Sequence, residues 1–234
     1  MNFSIVIPVF NEELNIINLI EEIFDNLLNK NLNFEIVIVN DASNDKTLEK
    51  ISKIKNKNKV KIKIINNHSN LGQSLSIIKG IEQSYYNTIV TLDADGQNNP
   101  KDIRKLLIKY FSDDMIYLVG GIRSKRMDSL VKKISSKIAN KVRSSILKDN
   151  CNDTGCSLKV FDKQTFLKFP HFDGIHRFLP ALFSGYNKQT FFMNVDHRPR
   201  IFGQSKYGTF KRLFAGIKDL IRVYNIIKKY RKTL

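Results

Sequence analysis

Residues 3–9, FSIVIPV, and residues 34–39, FEIVIV, are short runs of almost continuous apolar side chains. Such runs are typical of strands that are buried on both faces of a sheet. A helical pattern at 12–28 separates them, and the alternation continues with strand patterns at 60–65, 88–92 and 116–119 and helical patterns at 45–54, 73–84 and 100–111. This order predicts an α/β fold with a mainly parallel central sheet flanked by helices.

The second half of the chain is less regular. An amphipathic helix is expected over 124–148, and two more strands are expected at 157–161 and 191–195. From residue 207 onward, apolar residues recur every three or four positions with basic residues between them. This pattern predicts an amphipathic C-terminal helix.

The charge of the chain is concentrated in two segments. The 234 residues include 39 Lys and Arg against 22 Asp and Glu, a net charge of +17, of which segments 124–148 and 206–234 carry +7 and +8. A local basic surface favours an anionic partner, which could be nucleic acid, a lipid surface or a phosphorylated substrate. We expect no nucleic acid, because most of the 16 Phe lie in apolar stripes and no nucleic-acid-binding motif is present.

Both basic segments allow more than one interpretation. Each could be an ordinary helix with a solvated basic face, or it could dock on an anionic membrane surface or on a small membrane protein. No signal peptide and no run of about 20 apolar residues is found. Cys151 and Cys156 are expected to be reduced thiols. We therefore expect a cytoplasmic protein, peripheral on the cytoplasmic face of the membrane.

Polar side chains follow the first four predicted strands. They form the sequences PVFNE at 8–12, NDASND at 40–45, NLG at 70–72 and DADGQ at 93–97. The carboxyl ends of parallel strands meet at one edge of a sheet, where ligands bind. We therefore expect these four loops to converge on one site.

Asp93, Ala94 and Asp95 directly follow a buried strand pattern. In an extended segment two carboxylates spaced by one residue point the same way, and Gln97 adds an amide oxygen nearby. Such hard oxygen ligands suit Mg²⁺ or Mn²⁺. A solvated turn with side-chain caps is the alternative, but the three neighbouring polar loops favour a metal site.

Asp41 also has two interpretations. Asp41, Ser43 or Asp45 could cap the helix that begins near residue 46. Alternatively, a carboxylate at the end of a strand could accept hydrogen bonds from a nucleobase or a ribose, and both roles could coexist. The chain contains neither G-x-G-x-x-G nor G-x-x-x-x-G-K, so it lacks a dinucleotide fingerprint and a P-loop.

Seven motifs in this order resemble the inverting family 2 glycosyltransferases of GT-A fold. They are IVIPVFNEE, VIVNDASNDKT, NLGQSLSIIKGI, TLDADGQNNP, GIRSKR, DTGCSLKVF and RPRIFGQSKYG. They most resemble the polyprenyl-phosphate branch, typified by dolichol-phosphate mannosyltransferase and bactoprenol glucosyltransferase. The resemblance implies a GT-A catalytic domain over 1–206. For 207–234, the apolar stripe with basic residues between predicts a basic amphipathic helix that is interfacial.

The resemblance also implies the substrates and the roles of individual residues. The donor would be GDP-mannose or a UDP-hexose, and the acceptor a polyprenyl phosphate or another lipid-linked molecule. Asp93, Asp95 and Gln97 would hold Mg²⁺ or Mn²⁺. Asp95, Asp153, Arg200 and Lys206 would be catalytic, the last two by binding the acceptor phosphate and the diphosphate. The nucleotide sugar would contact Pro8, Phe10, Glu12, Val39, Asp41, Asp93, Ala94, Asp95, Gln97 and Arg123.

The expected chemistry depends on the acceptor. A metal ion and two cations would neutralise the leaving diphosphate. A phosphate acceptor is already anionic and needs no general base, whereas a hydroxyl acceptor on a polysaccharide or lipid would need one, for which Asp153 is the candidate. His197 could add a contact to the metal or the diphosphate, but such a histidine is more often a structural hydrogen-bonding residue.

This chain departs from the family pattern in two places. Asn40-Asp41 stands where the family usually has two aspartates, although the second acid is kept. Many relatives continue into transmembrane helices, whereas this sequence ends with a basic amphipathic helix. A nucleotidyltransferase on a similar sheet is less favoured, because IVIPVFNEE lacks the Gly-rich phosphate loop of that class.

Overall fold

A computed structural model describes residues 1–28, 32–55, 60–124, 140, 142–200 and 209–233. A seven-stranded sheet forms the centre of the protein, and the predicted α/β architecture is confirmed. Its strands are β1 Asn2–Val9, β2 Asn33–Asn40, β3 Lys61–Asn66, β4 Thr88–Thr91, β5 Ile116–Arg123, β6 Lys159–Asp162 and β7 Gln189–Val195.

Seven helices with defined bounds accompany the strands in the described part of the chain. They are α1 Ile16–Leu27, α2 Thr47–Lys55, α3 Gln73–Glu82, α4 Lys101–Tyr110, α5 Lys163–Leu167, α6 Leu179–Gly185 and α7 Thr209–Lys232. Residues 175–177 form a short 3₁₀ turn. Of the helix expected at 124–148, residues 142–147 are helical, and 125–139 and 141 lie outside the described residues.

The strands lie in the order β3-β2-β1-β4-β6-β5-β7. Within this sheet β6 runs antiparallel to both of its neighbours, and the other six strands share one direction. One edge of the sheet therefore carries the carboxyl ends of six strands and the amino end of β6. In open α/β sheets this edge is where ligands bind.

Two apolar cores cover the two faces of the sheet. One core joins the strands to α1, α2 and α4, and the other joins them to α3, α6 and α7. At Gly80 of α3, an added Cβ would lie 2.5 Å from Val6 Cγ1 and 2.9 Å from Val39 Cγ2. This close packing fixes the position of α3 against β1 and β2, and with it the position of the polar residues at the amino end of α3.

The C-terminal helix α7 packs on the α/β domain through one of its faces. Val223 and Ile227 are buried, and the rings of Tyr186 and Tyr230 stack with centroids 3.8 Å apart. Asp219 is buried and pairs with Arg177 at 2.9 Å. Among the described residues, no helix is both long and apolar enough to cross a membrane.

Candidate active site

The predicted polar loops meet at the carboxyl edge of the sheet. The loops after β1, β2, β3 and β4 all leave the sheet at this edge, because these strands are parallel. Arg123 ends β5, Asp153 precedes β6, and Arg200 follows β7, so the same edge also receives these side chains. This arrangement confirms the expected convergence and adds the segments around β5, β6 and β7.

The D-A-D segment lies directly after β4. Asp95 is 8% exposed, and its Oδ1 accepts a hydrogen bond from the Gln97 N–H at 3.1 Å. Its Oδ2 accepts one from Arg200 Nη2 at 2.6 Å. Asp93 Oδ1 accepts from Gln73 Nε2 at 2.7 Å. Burial and the neighbouring Asp95 charge raise the pKa of Asp93 to about 6.

Arg200 reaches Asp95 because the segment after β7 is tied to the D-A-D loop. Asn98 and His197 form an isolated β-bridge, and the Arg198 N–H donates to the Gln97 carbonyl at 2.9 Å. The Arg198 guanidinium donates to both carboxylate oxygens of Glu22, at 3.0 and 2.8 Å. His197 is thus held beside the D-A-D loop, and which of its two interpretations holds stays open. Lys206 lies outside the described residues.

The donor set at the D-A-D loop fits a hard divalent cation. Asp95 and Gln97 offer a carboxylate and an amide oxygen. These ligands suit Mg²⁺ or Mn²⁺, which bind through one or two carboxylates together with waters and substrate phosphates. The assignment of Asp93, Asp95 and Gln97 as metal ligands stays a prediction.

Asp41 holds a neighbouring loop in place. It is 3% exposed, and its Oδ1 accepts hydrogen bonds from Asn67 Nδ2 and the Leu71 N–H, both at 2.8 Å. Its Oδ2 accepts from the Gly72 N–H at 2.9 Å, and Gly72 has a φ of 89°. The helix cap is instead Asp45, whose Oδ1 accepts from the Thr47 N–H at 2.9 Å. Asp41 therefore fixes the loop at 67–72, and its nucleotide contact stays a prediction.

The other predicted nucleotide contacts differ in accessibility. Pro8, Phe10 and Glu12 lie at and after the end of β1 and are partly exposed. The Val39 side chain is fully buried against α3, because β2 is buried on both faces. Only the main chain of Val39 can face a ligand, and its nucleotide contact stays a prediction.

Arg123 and Asp153 form a buried pair. The Arg123 N–H and Nε donate to Asp153 Oδ2 at 3.1 and 2.7 Å, and Nη2 donates to Oδ1 at 2.7 Å. Asp153 is 4% exposed. A carboxylate that is paired through both oxygens with a guanidinium is a poor proton acceptor, because the pairing stabilises the charged form. The sequence predicted separate roles for Arg123 and Asp153, whereas in the structure the two side chains form an ion pair.

Four residues that had no predicted role also lie at this edge. Gln73 and Ser74 begin α3, Lys159 begins β6, and His176 lies in the 3₁₀ turn. Ser74 Oγ lies 2.6 Å from His176 Nδ1. Gln73 and Ser74 occur in the motif NLGQSLSIIKGI, so the sequence could have placed them at the site. His176 has no such signal, because 102 positions of sequence separate it from Ser74.

Comparison with known proteins identifies the family to which the chain belongs. The family model described as "Glycosyl transferase family 2" matches residues 4–170. The chain is 31% identical over 225 residues to a dodecaprenyl-phosphate galacturonate synthase from Rhizobium johnstonii. It is 32% identical over 220 residues to an undecaprenyl-phosphate 4-deoxy-4-formamido-L-arabinose transferase from Pectobacterium atrosepticum. These matches cover 95% and 94% of this chain and 66% of each relative, so the chain spans about two thirds of their length.

Solved structures give the fold. Glucosyl-3-phosphoglycerate synthase from Mycobacterium tuberculosis, in complex with Mn²⁺, UDP and glucosyl-3-phosphoglycerate, aligns with a TM-score of 0.70 at 14% identity. The alignment covers 95% of this chain and 78% of that one. Another structure of the same enzyme contains Mg²⁺ and UDP. The protein therefore has a GT-A fold, and structural relatives with this fold bind a divalent metal together with UDP.

Proposed function

Since the chain belongs to glycosyl transferase family 2, we propose that it transfers a sugar from a nucleoside diphosphate sugar to a polyprenyl phosphate. The contact between Asp95 and Arg200, at the edge where the loops converge, carries this proposal. It places a carboxylate suited to a metal ion beside a cation suited to a phosphate. The functions of the two relatives, which concern dodecaprenyl and undecaprenyl phosphates, support the choice of acceptor.

The residues at the site have complementary tasks in this reaction. A divalent ion would supply positive charge to the leaving diphosphate. Asp95 and Gln97 would hold that ion, and the loops that carry Pro8, Phe10 and Asp41 would hold the nucleoside. Arg200, and Lys206 by resemblance, would add charge-assisted hydrogen bonds to phosphate oxygens.

A phosphate acceptor agrees with the state of Asp153. Both of its oxygens are engaged by Arg123, so Asp153 is poorly placed to remove a proton from a hydroxyl. A polyprenyl phosphate needs no such step, because its phosphate oxygens are already ionised near pH 7. In this proposal Asp153 orients Arg123 towards the acceptor. A hydroxyl acceptor on a polysaccharide or lipid remains the second candidate.

A product assay tests the proposed function. The full chain is incubated with a short polyprenyl phosphate, MgCl₂ or MnCl₂, and each of a set of UDP- and GDP-sugars. We expect a glycolipid product with at least one donor and none in excess EDTA. Transfer to a sugar hydroxyl but not to the polyprenyl phosphate would favour the second candidate.

We also propose that α7 binds an anionic membrane surface. Ile217, Ile221 and Tyr224 form a stripe on the helix face that does not pack on the domain, with 50%, 57% and 45% of their surface exposed. Exposed Lys218 and Lys228 lie on the same helix. An apolar stripe beside basic side chains complements an anionic lipid surface, and each basic residue contributes about 1 kcal/mol there.

We expect the full chain to bind vesicles that contain anionic lipid and to be released by salt, because the Debye length is only about 8 Å at physiological ionic strength. Substitution of Ile217 and Ile221 by Ser should weaken binding roughly tenfold or more, since each loses apolar burial. Met115→Ser, at an exposed apolar residue elsewhere, is the matched control. Vesicle co-sedimentation measures binding, and equal partitioning to neutral and anionic vesicles would contradict the proposal.

A further inference from the structure

A small cavity lies beneath the D-A-D loop. Its polar lining comes from Gln73, Thr91, Asp93, Ser157, Lys159 and His176, and Ile77, Leu92 and Leu179 provide the apolar remainder. The cavity has room for one water-sized group and is too small for a sugar ring. Its polar groups include both hydrogen-bond donors and an acceptor.

His176 presents a hydrogen-bond donor to this cavity. The Gly174 N–H donates to Ser74 Oγ at 2.7 Å, and the Ser74 hydroxyl in turn lies 2.6 Å from His176 Nδ1. With the Ser74 hydroxyl as the donor to Nδ1, the neutral ring carries its proton on Nε2. Burial, with the charges of Arg177 and Lys159, lowers the pKa of His176 to about 3 and keeps the ring neutral.

The turn that carries His176 is fixed from both sides. Ser74 binds it from α3, and Asp219 of α7 pairs with the neighbouring Arg177. At Gly174, where φ is 96°, an added Cβ would lie 2.5 Å from Asp219 Oδ2. The position of His176 is therefore fixed by contacts from two different helices, α3 and α7, and a specificity residue needs such rigid support.

Lys159 and Asp93 complete the lining with opposite charges. Lys159 is 4% exposed, and its ammonium group donates to the carbonyl groups of Thr154 and Cys156. Asp93 accepts from Gln73 Nε2 and also has a side-chain hydrogen bond with Ser157. A group that enters the cavity therefore meets donors from His176 and Lys159 and a carboxylate acceptor from Asp93.

We propose that this cavity receives one hydroxyl group of the donor sugar and that His176 donates a hydrogen bond to it. A hydroxyl can accept from His176 while it donates to Asp93, whereas a phosphate would be repelled by the Asp93 carboxylate. The size of the cavity admits one such substituent and excludes the ring. This inference rests on the proposed function and extends it, because it makes His176 a residue that selects the donor sugar.

Calorimetric titration in the presence of Mn²⁺ tests the inference. The full-length wild-type protein and its variants are titrated with UDP and GDP, and then with UDP-glucose, UDP-galactose and GDP-mannose. His176→Phe keeps a ring of similar size without the donor, and His176→Gln restores an N–H near the position of Nε2. His171→Phe is the matched control, because His171 is exposed and stacks on Phe166.

We expect His176→Phe to weaken binding of the preferred nucleotide sugar by about tenfold, which is the range of one neutral hydrogen bond. The affinity for the free nucleoside diphosphate should change less than twofold. His176→Gln should recover most of the loss, and His171→Phe should show none. A parallel loss for the sugar and the free diphosphate, or no loss for either, would overturn the inference. Failure of the wild-type protein to bind any of these nucleotides would instead refute the proposed function, and the inference with it.

Discussion

Asp95→Asn should abolish sugar transfer and metal-dependent nucleotide binding while the protein remains folded. The substitution keeps the shape of the side chain and removes its charge. We expect kcat/KM to fall by roughly 10³-fold or more, because the leaving diphosphate loses the cation that stabilises it. The measurement is glycolipid formation, together with calorimetric binding of UDP and GDP with and without Mn²⁺.

The control for this experiment is Asp114→Asn, at an exposed carboxylate that follows α4. It makes the same chemical change far from the D-A-D loop and should leave activity within about twofold, as surface substitutions usually do. Thermal unfolding verifies that both variants are folded. Full activity of Asp95→Asn, or full activity of the wild-type protein in excess EDTA, would contradict a metal site at this loop.

Much of the fold could be predicted from local sequence. The strands β1 and β2 are nearly uninterrupted runs of Ile and Val, and strands buried on both faces have this composition. The short helix α6 was missed because it is buried almost all round, so it has no polar face to give a helical period. The reversed direction of β6 was missed because the period of two is the same in both directions.

The candidate site could be predicted only in part. Side chains at strand ends, such as Asp95 and Asp41, could be placed at one edge because topology follows from strand–helix alternation. Their partners could not, because long-range pairs have no local signal. The pairing of Arg123 with Asp153 spans 30 residues, and that of Asp95 with Arg200 spans 105. His176 was missed for the same reason.

Asp153→Asn and Arg200→Ala should separate the two classes of acceptor. If the acceptor is a phosphate, Arg200→Ala should lower kcat/KM by about 10²–10³-fold, since it removes a charge-assisted contact to a phosphate in the transition state. Asp153→Asn should lower kcat/KM by a smaller factor, because a phosphate acceptor has no proton to be removed. If the acceptor is a hydroxyl, loss of the base should cost about 10²–10⁴-fold, and Asp153→Asn should be the more damaged variant.

The measurement is kcat/KM of each variant with a short polyprenyl phosphate and with the polyprenol of the same chain length. These two acceptors differ only in the phosphate, so the ratio of their rates does not depend on how much of a variant is folded. This matters for Asp153→Asn, because breaking a buried ion pair costs about 3–5 kcal/mol of stability. Arg198→Ala is the control for Arg200, since Arg198 lies in the same segment but contacts Glu22.

At the proposed metal site, Arg200 and a metal ion would compete for the same carboxylate, which gives a second readout. Arg200 Nη2 lies 2.6 Å from Asp95 Oδ2, so a cation that binds Asp95 has to share or displace this contact. Without nucleotide, Arg200→Ala should therefore bind Mn²⁺ more tightly than the wild-type protein, while its transfer activity falls. Arg198→Ala should leave Mn²⁺ affinity unchanged.

For the acceptor itself, an active Arg200→Ala enzyme beside an inactive Asp153→Asn enzyme would overturn the assignment of a phosphate acceptor. The protein would then depend on a base and not on a phosphate-binding cation.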